Sequence, residues 1–164
     1  MPEPKAILVA FDGSDTAQSA VEAAARLFPQ HRLVVTSVWE PGLAVAMATN
    51  TDMTGIGYAL PTPEEMATMD RAQRDHATDA AERGARIARE LGANAEAYPI
   101  ADEAKVGETL AALADQLDAE AIVVGSRGLG AFKAGLFGST SRDLLGQTQR
   151  PVLVVKAGEV VGTS

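Results

Sequence analysis

The chain has 164 residues, 46% of them apolar and 22% charged, with a formal net charge of -8. That length suits one domain over 1–164, the acidity argues against nucleic acid or an anionic membrane as partner, and no apolar run approaches the roughly 18 residues of a membrane-spanning helix. The chain holds no cysteine, which excludes disulfides, thiol catalysis and cysteine-ligated metals; its start shows no signal-peptide pattern, so a cytoplasmic location is expected.

Residues 6–11 (AILVAF) form a continuous apolar run, the pattern of a parallel strand buried on both faces. Asp12-Gly13-Ser14 turns the chain, and Asp15 and Gln18 stand at capping-box spacing. Ala17, Ala20, Val21, Ala24, Leu27 and Phe28 then recur at helical spacing until Pro29. Residues 33–39 (LVVTSVW) read as the second strand. Residues 40–61 mix glycine, proline, threonine and methionine without a period, and read as a long loop over the site or a disordered connection. Thr62-Pro63-Glu64-Glu65 predicts a helix start with a threonine cap, proline at the first position and glutamate at the third. That helix should run to Leu91 and stop at Gly92, with Met66, Met69, Ala77, Ala80, Ile87 and Leu91 on its apolar face. Residues 95–100 are a weaker strand, placed at a sheet edge by Pro99. Val106, Leu110, Leu113 and Leu117 make a helical stripe, residues 121–124 a fourth strand, 141–147 a helix and 151–155 (PVLVV) a fifth strand. Alternating strands and helices of this kind predict an α/β, Rossmann-like fold: an open five-stranded parallel sheet of order 3-2-1-4-5 with helices on both faces. In that order strands one and four lie side by side, and ligands sit beyond their carboxyl ends.

The loop after the fourth strand carries the chemistry. It reads Gly125-Ser126-Arg127-Gly128, nine further residues, then Gly138-Ser139-Thr140, a G-x-x-G-x9-G-[ST] pattern. Glycines allow backbone N–H groups to approach an anion, and a helix start adds unpaired N–H groups and the positive end of its dipole. The N–H groups of 125–128 and 138–140 are therefore expected to hold phosphate. From 121 to 150 there are four basic residues (Arg127, Lys133, Arg142, Arg150) against Asp143 alone, whereas elsewhere acid outnumbers base 21 to 10. A locally positive segment in an acidic chain fits a small anionic ligand.

These residues resemble the universal stress protein family over nearly the whole chain. The resemblance rests on Ile7-Leu8-Val9-Ala10-Phe11-Asp12-Gly13-Ser14, on Ile122-Val123-Val124-Gly125-Ser126-Arg127-Gly128, on Gly138-Ser139-Thr140-Ser141-Arg142-Asp143-Leu144-Leu145 and on Pro151-Val152-Leu153-Val154-Val155. The glycine spacing is that of the family's ATP-binding branch. The resemblance implies that Asp12 contacts the nucleoside and that Val38 recognises adenine through its backbone. It implies that Gly125, Arg127, Gly128, Gly138, Ser139 and Thr140 hold ribose and phosphates, with Mg²⁺ carried mainly by the phosphates. It also implies a homodimer, often formed through the last strand. Two features depart from the family pattern: the long connection after the second strand, and Ala101-Asp102-Glu103 where many relatives carry a Gly-Asp-Pro-like turn.

Neither a G-x-G-x-x-G fingerprint nor a G-x-x-x-x-G-K-[ST] loop is present. Asp12 and Ser139 could also serve only as helix caps. His31 and His76 read as surface residues, and no clustered ligand set predicts a resident metal. No positioned base stands near the loop except Asp12, so no catalytic residue is assigned. The expected function is ATP binding by a stress-response regulator; the alternatives are a slow ATPase on the same fold, or an interaction dimer that binds no nucleotide.

Overall fold

The computed structural model describes residues 2–42, 61–102, 104–126 and 139–156, with 139–141 in backbone only. In chain order the elements are β1 (Ala6–Ala10), α1 (Asp15–Leu27), β2 (Arg32–Thr36), β3 (Val38–Trp39), α2 (Pro63–Glu90), β4 (Asn94–Ala97), β5 (Ile100–Ala101), α3 (Val106–Gln116), β6 (Ala121–Gly125), α4 (Ser139–Gln147) and β7 (Val152–Val155). The main sheet runs β4-β2-β1-β6-β7, which is 3-2-1-4-5 when only its own strands are counted. Every pair is parallel, with Leu8 opposite Val34 and Ile122, and Val123 opposite Leu153.

β1 is buried along its whole length because both its faces are covered, which is why its sequence is apolar without alternation. Ile7, Val9, Leu33 and Val35 face α1 and α2. Leu8, Ala10, Val34, Ile122 and Val124 face α3, through Leu110 and Leu113, and α4, through Leu144. The chain winds from β1 to β2 and β4 in one direction and to β6 and β7 in the other, so β1 and β6 flank the switch point.

Local signals set the helix ends. α1 is capped by Ser14, whose Oγ accepts from the N–H of Ala17 at 3.2 Å. Asp15 is therefore the first helical residue rather than the cap, and Gln18 donates forward to Glu22 instead of reaching back. At α2 the expected capping box forms in full between Thr62 and Glu65. Its far end closes on Gly92 at φ +87°, with Gly92 N–H donating to Arg89 and Ala93 N–H to Ala88, the paired bonds of a Schellman stop. Only the second half of α2 meets the sheet: Ala77, Ala80, Ala81, Gly84, Ala85 and Ala88 are buried, whereas Met69 is 42% exposed. α4 begins at Ser139, two residues before the expected start.

The second and third expected strands each divide in two, and β3 and β5 form a small parallel pair of their own. Pro99 has no N–H to give to a ladder. Pairing nevertheless continues on one side, because Tyr98, Ile100 and Asp102 donate in turn to the carbonyls of Val35, Ser37 and Trp39 at 2.8–3.0 Å. Asp102 is buried, and its Oδ1 accepts from Thr109 Oγ1 at 2.6 Å and from the N–H of Ala104 at 3.1 Å. It thereby ties the end of β5 to α3.

At the amino ends of the strands, Glu120 meets Lys5 Nζ at 3.2 Å and His31 Nε2 at 2.7 Å. The hydrogen bonds from His31 and then Lys5 lower the Glu120 pKa. His31 is half-buried, with its ring edge-on to Phe28, rather than a free surface residue. Arg150 spans the gap between α3 and β7, bonded to Asp115 at 2.9 Å and to the carbonyl of Ala119.

Candidate functional site

The carboxyl ends of β1, β2 and β6 meet at the switch point. Beyond β1, the N–H of Phe11 still donates to the carbonyl of Thr36 at 2.8 Å. The chain then turns at Gly13, whose φ of +86° is a conformation suited to glycine. Asp12 is half-buried, and its Oδ1 accepts from the N–H of Ser14 at 2.9 Å. Capping α1 falls to Ser14, so Asp12 holds the turn and not the helix. A cation that sequence reasoning passed over reaches this turn. Arg83 of α2 places its guanidinium 6.0 Å from the centre of the Phe11 ring, and its Nη2 lies 2.7 Å from where a side chain on Gly13 would begin. Arg83 sits among many charges in α2, and nothing in its spacing marks it out.

Val38 is placed by the pairing of its neighbours. In a strand, backbone groups alternate in direction with period two. The carbonyls of Ser37 and Trp39 accept from Ile100 and Asp102, on the β5 side. The carbonyl of Thr36 faces β1 instead, where it accepts from Phe11. The N–H and C=O of Val38 therefore point toward the β1 side, at a level where β1 has already ended.

A cleft of about 450 Å³ opens at this level. Its walls include Val38 and Trp39 of β3, Gln73 and His76 of α2, and Val106 of α3. α2 covers one face of the sheet and α3 the other, and the cleft reaches both around β3, with Glu40 at its carboxyl end among the walls. Its volume lies within the range of small-molecule sites. Val38 thus brings an N–H and a C=O that β5 does not use to the wall of a partly apolar cleft.

Gly125 ends β6 opposite Val155. A side chain on it would begin 2.7 Å from the backbone carbon of Thr16 and 2.8 Å from its oxygen. Its missing side chain thus admits the first turn of α1. The N–H of Ser126 donates to Val155 at 2.8 Å and is committed to the sheet. Of the donors expected over 125–128, the Ser126 N–H is thus taken by the sheet. Arg127, Gly128 and Gly138 lie outside the described residues, as does 43–60 of the long connection. Ser139 and Thr140 form the first turn of α4, as a helix-start anion site requires. Of the expected site residues, Val38 lines the cleft, while Asp12 and Gly125 stand at the carboxyl ends of β1 and β6 and are not among its walls.

Comparison with curated proteins gives no match. Solved structures do match over most of their length. The universal stress protein UspA from Lactobacillus plantarum is 23% identical, with 94% of this chain and 99% of that one covered and a TM-score of 0.67. The universal stress protein from Archaeoglobus fulgidus, solved in complex with dAMP, is 24% identical over 95% and 100% of the two chains, with a TM-score of 0.58. A universal stress protein family member from Arabidopsis thaliana, solved with AMP bound, is 18% identical over 95% and 94%, with a TM-score of 0.62. The model of the universal stress protein family matches residues 4–156, which takes in every strand and helix described above, and the chain belongs to that family.

Proposed function

We propose that the protein binds Mg-ATP beyond the carboxyl ends of β1, β2 and β6 and acts as a homodimeric, nucleotide-dependent regulator of stress response in the cytoplasm. The observation that carries this reading is Val38, which lines the cleft and whose backbone, on its β1 side, is paired by no strand among the described residues. Adenine presents an acceptor and a donor on adjacent positions, which such a pair complements. Asp12 would hold the ribose or the base, and Gly125, Arg127, Gly128, Gly138, Ser139 and Thr140 the ribose and phosphates. The dAMP and AMP complexes of the two relatives support adenine nucleotide as the ligand class. Mg²⁺ would be held mainly by phosphate oxygens; among the described residues no three His, Asp or Glu cluster as ligands.

A calorimetric titration tests this directly. Mg-ATP should bind at roughly micromolar dissociation constant, about -8 kcal/mol. Trp39 is the single tryptophan and lines the cleft, so its emission should change in the same titration. Absence of binding would end the nucleotide reading, and saturation with unchanged emission would move the base away from Val38.

The dimer reading rests on a contrast between the sheet edges. β4 is polar, and its Glu96 is ion-paired to Arg32, which discourages edge pairing. β7 is uncharged and half-buried. Pro151 and Val155 turn their carbonyls to β6, accepting from Ile122 and Ser126, so by alternation Val152 and Val154 present theirs to the open edge. Pairing two copies across a two-fold axis would satisfy that edge. Val154→Pro removes an outward donor while sparing the bonds to β6. It should shift the protein from dimer to monomer or aggregate in light scattering, and a wild-type monomer at tens of micromolar would refute the dimer.

A further inference from the structure

The helix wall of the cleft has its own chemistry. Residues 70–79 read DRAQRDHATD, and charges occupy Asp70, Arg71, Arg74, Asp75 and Asp79. The positions that line the cleft are the uncharged ones, Ala72, Gln73, His76 and Ala77. They fall at i, i+1, i+4 and i+5, on one side of the helix. This stripe is not a core face, since Gln73 and His76 are polar and, of the four, Ala77 alone is buried. It is not an ordinary solvated face either, since its neighbours on both sides carry the charge. Two alanines leave room beside the helix, and two neutral polar side chains rise between them. Such a wall suits the uncharged, hydrogen-bonding part of a ligand, not its phosphates.

We infer that Gln73 is the base-reading side chain of the site. The inference rests on the nucleotide reading above and deepens it. If the Val38 backbone takes N1 and the 6-amino group of adenine, the N7 side of the base remains. A glutamine amide is both donor and acceptor: it can donate to N7 through Nε2 and accept from the 6-amino group through Oε1. Guanine offers acceptors at both of those positions, so the same amide satisfies only one of them. Gln73 thereby adds to the preference for adenine over guanine, from a helix that supplies neither the Val38 contact nor the phosphate loop.

The test is the dissociation constant of ATP and of GTP, measured by calorimetry on wild type, Gln73→Leu and Gln73→Ala, with circular dichroism on each. Leucine and alanine are good helix formers, and Gln73 is only partly buried, so both variants should fold. Wild type should favour ATP by at least about tenfold, and both variants should lose about tenfold in ATP affinity with little change for GTP. The preference should then fall by about tenfold, leaving only what the Val38 backbone supplies. A wild type that binds ATP and GTP equally, or folded variants that keep the wild-type ratio, would overturn the role of Gln73 and leave the nucleotide site standing. A wild type that binds neither nucleotide would overturn both readings.

Discussion

Mg-ATP binding is expected to vanish in Gly138→Val and to weaken only slightly in Ser139→Ala. Gly138 directly precedes α4, which begins at Ser139, and the first turn of a helix presents N–H groups without partners in the helix. A phosphate drawn to that turn must approach the backbone closely, and a branched side chain at 138 would fill the approach. The hydroxyl of Ser139 adds one hydrogen bond, worth about 1 kcal/mol net, or about fivefold in affinity, and more if its partner is a charged phosphate. Adding a side chain should therefore hurt more than removing a hydroxyl. Dissociation constants by calorimetry, with circular dichroism to confirm folding, measure both. Wild-type affinity in a folded Gly138→Val protein would show that the glycine loop does not hold the phosphates.

Gly125→Ala should destabilise the fold by about 3 kcal/mol, the upper part of the usual range for overpacking. Its added carbon would meet the carbon and oxygen of Thr16 and the nitrogen of Ala17, all at 2.7–3.0 Å. These are backbone atoms, so no rotamer change relieves the contact, and α1 has to move. Because α1 starts just after the Asp12–Ser14 turn, ATP affinity should fall as well. Urea unfolding at fixed pH reads the stability. A shift under about 0.5 kcal/mol would mean that α1 is not seated on β6 as described, since that is the scatter of a neutral surface change.

Much of this architecture could be read from residues. Four apolar runs and one weaker strand, with turn residues between them, predicted the sheet, and right-handed crossovers left few orders for it. Thr62, Pro63, Glu65 and Gly92 bounded α2 because each answers a specific unpaired backbone group. Other features were not readable, for stated reasons. Ser14 and Asp15 are both good caps, and only the geometry of the Asp12 turn selects the first. Met66 and Met69 continue the period of α2 but lie beyond the reach of the sheet. Gly125 looks identical in sequence whether it admits a phosphate or a helix, and nothing in the sequence signals that the backbone of Thr16 stands 2.7 Å from where its side chain would begin. Gln73, His76 and Arg83 were hidden because a charge-rich helix shows no outward sign of which residues turn to a cleft.

The central position of β1 bears on how the protein is made. Ile7 pairs with Leu33 on one side and with Ala121 on the other. During synthesis the first pairing is available early. The second must wait until most of the chain has left the ribosome, and contacts so distant in sequence form slowly. Until then one edge of a fully apolar strand stands open, in a species prone to misassembly. The site proposed between β1 and β6 is completed only when that edge closes, so a nucleotide bound there would stabilise the finished protein but could not guide the growing chain.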